Sequence, residues 1–455
     1  MKKFLIFGLV IIFSGCITSK VKKDIILKTY ISGLLYEGEK ENIEALKEFE
    51  KVIKEGGDDP YIYLKIGDIY LKEKNFKKAI ESFNKVIRID PENSEGYFGL
   101  GLAYLFNKKY KLAIDNLEKG LKLSPEKDSF RLILCDIYLN LNNYKMAETH
   151  YKFLIDQYPK NFLLHYNLGK IYENQKKFNE AEKEYLESIK YSPSFWQAYL
   201  SLGMLYQKKG EIEKAKEYYE KSLKINNLNK VAYSLLSLIY YSEKNDEKVK
   251  ELLLTAINNG LKEKEFYDIL GSIYFDEKNY GMAETYFNES IKIKDSSDTR
   301  FKIGILYDKI GDFDKMEENM KKAIELDPNN SLALNYLGYS YLLKDKNINQ
   351  AYEMIKKACK IEPNNGAYLD SLGWAYYKMG DYKNAKKYLE KAVKLEEDPE
   401  IYEHLGYLYY QLKDYERAIF YFIKAYEKTN KKEIKDVIEK VKNSMKNETS
   451  GKNKR

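Results

Sequence analysis

Cysteine and histidine are both scarce in this sequence. The 455 residues contain three cysteines and three histidines. Cys135 and Cys359 fall in distant parts of the chain, so we expect small buried residues there and not a disulfide. No histidine has a serine or cysteine nucleophile near it in sequence, and no cysteine spacing matches a metal site. These absences favour a protein that is not an enzyme and that uses neither a metal nor a cofactor.

Long apolar runs are also missing, except at the N-terminus, where two lysines precede the run at residues 4–13. This run is too short to cross a bilayer as a mature helix, and it fits the apolar part of a secretory signal. It ends in Phe-Ser-Gly-Cys, and small residues before a cysteine resemble the bacterial lipobox. The resemblance implies a signal peptide over 1–15, a lipid on Cys16 and a tether over 16–24. An uncleaved anchor or an ordinary signal peptide remains the alternative.

The residue after the lipobox cysteine bears on which membrane would hold the protein. Ile17 stands where aspartate is the usual inner-membrane retention signal in many Gram-negative bacteria. The lipobox resemblance therefore implies the outer membrane, facing the periplasm, if the cell has two membranes.

Charge of neither sign dominates. Lysine and arginine number 77 against 70 aspartates and glutamates, and the two signs alternate along the chain. Such alternation is typical of solvated helix faces and not of a nucleic-acid footprint. We therefore expect no nucleic-acid partner and no small-molecule substrate.

What the sequence does contain is a repeat with a period of 34 residues, which shifts to 33 or 35 only near the C-terminal end. Each repeat has a small anchor residue, followed three residues later by tyrosine. The anchors are Gly33, Gly67, Gly101, Cys135, Gly169, Gly203, Ser237, Gly271, Gly304, Gly338, Gly373 and Gly406. A second small residue, usually alanine, comes about twelve positions after the anchor, and a large apolar residue follows four positions later. Apolar residues recur at helical spacing in both halves of each repeat, so each repeat is predicted to be two antiparallel helices.

This pattern resembles the tetratricopeptide repeat, whose signature combines Leu-Gly, Tyr, Ala, Phe and a closing Pro. The resemblance implies an all-α fold, a right-handed α-solenoid superhelix of about twelve helix-turn-helix units over 25–430. Apolar residues at helical spacing over 431–446 predict a helix that caps the last repeat. We expect the polar residues 447–455 to be disordered.

In that family the first helices of the repeats line a concave groove that binds peptides, and the resemblance places two apolar patches there. Trp374 and Tyr377 are not required by the repeat pattern, so we expect them to serve binding and not folding. The C-terminal patch consists of Trp374, Tyr377, Tyr407, Tyr410, Tyr339 and Leu342, with the polar residues Asn335, Asp370 and Glu403 among them. The second candidate patch consists of Phe98, Leu102, Leu105 and Phe106.

A narrower resemblance concerns residues 333–410, and it is most specific in the run Asn-Gly-Ala-Tyr-Leu-Asp-Ser-Leu-Gly-Trp at 365–374. It is similar to the C-terminal repeats of outer-membrane tetratricopeptide lipoproteins of Gram-negative bacteria. That similarity implies a membrane-anchored scaffold or adaptor for a protein or peptide partner, in proteolysis or in envelope or pilus assembly. The alternative is a cytoplasmic or nucleic-acid-associated repeat protein whose N-terminus is misread.

Replacement of Cys16 by serine tests the N-terminal interpretation. If Cys16 is the lipid attachment site, Cys16→Ser leaves an unprocessed precursor and abolishes palmitate labelling, because serine lacks the thiol that accepts the lipid. Normal processing of the variant, with release from membranes by mild salt, would contradict a lipid anchor.

Overall fold

The computed structural model describes residues 20–452, which form twenty-five helices and no strand. The described residues form two compact units, with the boundary between Asn226 and Asn227. The helices of the first unit are α1 Lys20–Gly38, α2 Asn42–Lys54, α3 Pro60–Lys72, α4 Phe76–Ile89, α5 Ser94–Phe106, α6 Tyr110–Leu123, α7 Asp128–Asn140, α8 Tyr144–Gln157, α9 Phe162–Asn174, α10 Phe178–Tyr191, α11 Trp196–Lys209 and α12 Ile212–Ile225. Those of the second are α13 Lys230–Ser242, α14 Asp246–Asn258, α15 Lys264–Asp276, α16 Tyr280–Ile293, α17 Ser297–Ile310, α18 Phe313–Leu326, α19 Ser331–Leu343, α20 Ile348–Ile361, α21 Gly366–Lys378, α22 Tyr382–Leu395, α23 Pro399–Gln411, α24 Tyr415–Thr429 and α25 Lys432–Lys452.

The odd-numbered helices up to α23 carry the anchors, and each packs against the even-numbered helix that follows it. The predicted fold class, an all-α solenoid of paired helices, is therefore confirmed. None of the helices between residues 20 and 452 combines the length and the apolar character that a membrane span requires.

The anchor residue sets how closely the two helices of a repeat approach. A Cβ atom added to Gly203 would lie 2.5 Å from the ring of Tyr219, and one added to Gly271 would lie 2.6 Å from the ring of Phe287. Both rings are fully buried or nearly so. Only a small residue fits at this contact, as the sequence pattern predicts, because overpacking such an interface costs about 1–3 kcal/mol.

The tyrosine that follows the anchor by three residues connects one repeat to its neighbour. The hydroxyl of Tyr206 donates to Glu182 of the preceding repeat at 2.7 Å, and the hydroxyl of Tyr341 donates to Glu317 at 2.7 Å. Tyr376 instead shares a hydrogen bond with the hydroxyl of Tyr352, at 3.0 Å. Each of these three tyrosines thus belongs to one repeat and bonds to the second helix of the preceding repeat by the hydroxyl at its tip.

In eleven repeats the turn between the two helices contains one residue in the left-handed backbone region, and the turn between α19 and α20 contains two, Asp345 and Asn347. Gly210, Gly311 and Gly380 occupy this place in three repeats, with φ between 79° and 86°. Most other repeats place lysine there, as at Lys278 with φ of 61°. After that residue, the N-cap amide of the second helix donates to the carbonyl of the repeat's tyrosine, at 2.8 Å for Asn279 and Tyr274. In the eleven repeats with one such residue, the turn therefore has the same geometry whether glycine or a residue with a Cβ atom occupies the left-handed position.

The last helix, α25, packs on α24 and covers the final repeat. Ile434, Ile438 and Val441 are buried in the apolar core that runs through the C-terminal unit. These are three of the residues from which a terminal helix is predicted in the sequence.

The helix boundaries differ from two sequence predictions. Residues 20–24, predicted as tether, form the start of α1, and α25 continues through Lys452 although 447–455 was expected to be disordered. Apolar spacing ends before residue 447, but no proline interrupts the helix there, so backbone hydrogen bonding continues. Residues 1–19, which include Cys16, and 453–455 lie outside the described residues.

Two opposite substitutions in the turn test its backbone geometry. Lys278→Gly is expected to raise the free energy of unfolding by about 0.5–1 kcal/mol, since the left-handed region is costly for a residue with a Cβ, although glycine also gains entropy in the unfolded chain. Gly380→Ala is expected to lower it by about 1 kcal/mol for the same reason. Urea denaturation of the two variants and the parent measures both. If both substitutions changed the free energy of unfolding in the same direction, the left-handed backbone of the turn would not be what determines their effect.

Candidate functional site

The predicted C-terminal patch lies on three first helices, α19, α21 and α23, of the last three repeats. On each helix the patch residues are spaced three or four positions apart, so they lie on one face of that helix. An open cleft of about 410 Å³ is lined by Tyr339, Leu343, Trp374, Asp398, Pro399, Glu400, Glu403, His404, Tyr407 and Lys431. A smaller cleft of about 170 Å³ shares part of this wall and is also lined by Asn335, Ala367, Asp370, Ser371, Glu396 and Ile401. We refer to the two together as the C-terminal cleft.

Trp374 forms the centre of the wall. Its indole stacks on Tyr377 with ring centroids 4.5 Å apart and on His404 at 4.1 Å, both nearly parallel. The side chain is only 9% exposed. The expectation that Trp374 serves binding and not folding is therefore wrong, because truncation of a ring this deeply packed removes core contacts and typically costs about 3–5 kcal/mol.

His404 and Asp370 form a buried ion pair in the wall of the C-terminal cleft. Nδ1 of His404 lies 2.9 Å from each carboxylate oxygen of Asp370, and both residues are about 5% exposed. Burial lowers the pKa of His404, but the charge of Asp370 and its hydrogen bond, with further contributions from Glu400 and Glu403, outweigh burial and raise it above the ordinary value. The arrangement therefore favours an imidazolium.

Tyr339 extends this pair into a chain of hydrogen bonds. Its hydroxyl lies 3.3 Å from Nε2 of His404 and donates to Glu400 at 2.5 Å. Burial and the nearby Glu400 carboxylate raise the pKa of Tyr339 well above the usual range, so the phenol keeps its proton. An imidazolium at His404 donates to Asp370 and to Tyr339, and every member of the chain then has a partner.

Two buried polar atoms of the clefts have no partner among the described residues. They are Nε1 of Trp374 and Oδ1 of Asn335. A buried donor or acceptor without a partner typically costs about 1–3 kcal/mol. Trp374 lines the larger cleft and Asn335 the smaller one.

The other aromatic residues of the patch are half-buried. Tyr407 packs edge-on against Phe422 at 5.0 Å and lies 6.1 Å from the Trp374 ring. The hydroxyl of Tyr410 lies 3.3 Å from that of Ser444 on α25, so Tyr410 packs partly against the terminal helix. The structure thus brings Tyr339, Trp374 and Tyr407 to one cleft, with Glu403 at the edge, 3.6 Å from Lys431.

Leu342 is the member of the predicted patch that the structure excludes from the surface. It is fully buried in the core of the C-terminal unit, whereas its neighbour Leu343 is 59% exposed and lines the cleft. The position four residues after the anchor of α19 therefore faces the core.

The second candidate patch is only partly at the surface. Phe98 is 1% exposed and stacks on Phe130 with ring centroids 3.9 Å apart, so its assignment to a binding surface is wrong. Glycine at Gly120 leaves room for this ring, because a Cβ there would lie 2.5 Å from it. Leu102 and Leu105 are half-buried, and Phe106 is exposed.

Sequence reasoning missed His404 and Glu400 as parts of the site. Asp370 stands three residues before its anchor Gly373, whereas His404 stands two residues before Gly406, so the pair joins different positions of adjacent repeats and the repeat pattern does not indicate it. Among residues 20–452, no group of three or more His, Cys, Asp or Glu side chains is arranged to hold a metal ion. The site offers a shaped, partly apolar wall with fixed charges, which suits binding.

The ion pair predicts a pH-dependent contribution to stability. Because the folded-state pKa of His404 is raised, its stabilisation is complete below the unfolded-state value of about 6.5 and is lost as pH rises through the folded-state value. The difference in unfolding free energy between the parent and His404→Gln should therefore be largest near pH 5 and shrink toward pH 9, with urea denaturation as the measurement. A difference that is constant over this range would show that His404 is not charged in the fold.

Family models of the tetratricopeptide repeat match most of this architecture. Models described as "Tetratricopeptide repeat" match residues 94–127, 162–195, 197–227, 265–296, 297–330, 319–353 and 371–432, and one described as "TPR repeat" matches 67–107. No curated protein matches the sequence significantly.

Several solved structures superpose on parts of the chain at low TM-scores. A chain of Naa15/Naa10 bound to HypK-THB is 15% identical, with 87% of this chain and 68% of that one covered and a TM-score of 0.45. YrrB, described as a TPR protein with an unusual peptide-binding site, is 22% identical over 41% of this chain and 96% of its own, with a TM-score of 0.37. MamA is 27% identical over 38% and 93%, with a TM-score of 0.35. At these TM-scores the superpositions carry no argument about function.

The paired helices, their shared signature of anchor, tyrosine and alanine, and family models that together match more than half of the sequence lead to one conclusion. The chain belongs to the tetratricopeptide repeat family.

Proposed function

We propose that this protein is a non-catalytic interaction scaffold of the bacterial cell envelope, anchored in a membrane by a lipid on Cys16, which holds a protein or peptide segment in the C-terminal cleft. Tetratricopeptide repeats typically serve as protein-interaction scaffolds. The observation that carries the site assignment is the cleft itself, where aromatic side chains from three successive repeats line one space together with two unpartnered polar atoms.

The composition of the cleft suits a protein segment. Interface hot spots are enriched in tryptophan and tyrosine that lie in well-packed pockets with polar groups around them. Tyr339, Trp374 and Tyr407 supply the aromatic part, and stacking holds Trp374 in one position before a partner arrives. Ordering the wall in advance reduces the entropy that binding costs.

The membrane part of the proposal rests on the N-terminal sequence alone. The apolar run at residues 4–13 and Phe-Ser-Gly-Cys support a lipid anchor, and Ile17 favours the outer membrane in a cell that has two. The resemblance of residues 365–374 to outer-membrane lipoproteins supports an adaptor role in proteolysis or in envelope or pilus assembly.

Crosslinking from the cleft tests the proposal in the full-length protein in cells. A photoreactive phenylalanine analogue is placed at Leu343, which is 59% exposed and lines the cleft, or at Leu395, which is 49% exposed and lines neither cleft. We expect one reproducible protein adduct from position 343 and not from position 395, because the partner segment lies in the cleft. Leu343→Asp should reduce capture of the same partner by at least about tenfold, as expected for a charge buried at an interface.

The matched control is Leu395→Asp, which adds the same charge to a similarly exposed leucine on the second helix α22. Equal adducts from both positions, or capture that Leu343→Asp leaves unchanged, would contradict the cleft as the binding site.

A further inference from the structure

The C-terminal cleft has an excess of negative charge. Five carboxylates line it, those of Asp370, Glu396, Asp398, Glu400 and Glu403, against two basic residues, His404 and Lys431. His404 pairs with Asp370, and Nζ of Lys431 lies 3.6 Å from Glu403. The Lys431 side chain is 59% exposed, so solvent weakens its pair with Glu403 and this carboxylate stays available to a ligand.

The remaining carboxylates, those of Glu396, Asp398 and Glu400, form no ion pair with a lysine or arginine among the described residues. On many other helices of the chain, a glutamate pairs with a lysine one turn away, as Glu317 does with Lys321 at 2.6 Å. In α23 the residue one turn after Glu400 is His404, and His404 already faces Asp370. Asp398 caps α23 by accepting from the backbone of Glu400 at 2.8 Å, which satisfies a hydrogen bond but does not neutralise the charge.

A second observation also points to a ligand in this cleft. Trp374 is nine-tenths buried, and its indole N–H has no acceptor among the described residues. Tyr377 and His404 stack on its ring, so the indole is held in one position in the wall of the cleft. The oxygen Oδ1 of Asn335 is likewise without a donor. A peptide backbone carries both missing groups, a carbonyl acceptor and an amide donor.

We infer that the segment held in the C-terminal cleft carries a basic side chain, arginine or lysine, whose charge lies beside Glu400 and Glu403. This inference rests on the proposed function. The aromatic walls at Tyr339 and Tyr407 cover the aliphatic stem of such a side chain, and the carboxylates receive its charged end. An acidic or phosphorylated segment is excluded by the same charges, because like charges brought together at an interface oppose binding.

A peptide selection with the full-length protein in detergent tests the inference. The probe is a library of randomised octapeptides, and we expect the selected peptides to share an arginine or lysine at one position. A selected arginine peptide is then compared with its citrulline counterpart, which keeps the shape and loses the charge. The parent should bind the arginine peptide at least about tenfold more tightly, and Glu400→Gln/Glu403→Gln should reduce that preference to about twofold or less.

The control variant is Glu325→Gln/Glu353→Gln, which removes the same charge from second helices, where the two side chains are 69% and 67% exposed. It should keep the tenfold preference. A loss of preference equal to that of the cleft variant would overturn the inference in favour of a general charge effect.

Binding of the selected peptides to the Leu343→Asp variant distinguishes failure of the inference from failure of the proposed function. If peptides without a basic residue are selected and Leu343→Asp still abolishes their binding, the inference about charge is overturned and the proposed function stands. If no selected peptide depends on Leu343, both are overturned.

Discussion

The contact between a small anchor residue and a large apolar side chain on the next helix is the constraint on which the rest of each repeat depends. Because the helices approach most closely at Gly373 and Leu389, where an added Cβ would lie 2.6 Å from the leucine, the orientation of α21 is fixed. The neighbouring positions 370 and 374 then face the other way, toward the first helices of adjacent repeats. The cleft is therefore a by-product of scaffold packing, and only the side chains placed there give it a chemistry.

Much of the fold could be predicted from the sequence because its signals are local and repeated. The anchor, the tyrosine three positions later and the apolar spacing indicate two helices in every repeat, and the structure confirms the pairs. Which single positions of a helix face the core is a finer property, and the sequence alone assigned buried Leu342 to the surface of α19. Phe98 was misplaced in the same way, since its burial depends on Gly120 in a different helix.

The sequence predicts the aromatic residues of the candidate site but not the ion pair and hydrogen bonds among its polar residues. Tyrosine and tryptophan beyond the repeat pattern mark Trp374 and Tyr407 in the sequence. The pair of His404 and Asp370, however, joins two repeats, and the bond between Tyr339 and Glu400 spans 61 residues. Such contacts depend on how successive repeats stack. They also couple the two roles of Trp374, since the ring that shapes the cleft is held by the same histidine that links two repeats.

The stacking of Trp374 on His404 also has a spectroscopic consequence. The chain has two tryptophans, and an imidazolium in contact with an indole quenches its fluorescence more strongly than a neutral imidazole does. In a chain whose other tryptophan, Trp196, is replaced by phenylalanine, all of the tryptophan emission comes from the wall of the cleft. The intensity of that emission then reports the protonation of His404, and its emission maximum reports the exposure of the indole to water. The protein thus carries its own optical probe at the site, with no label attached.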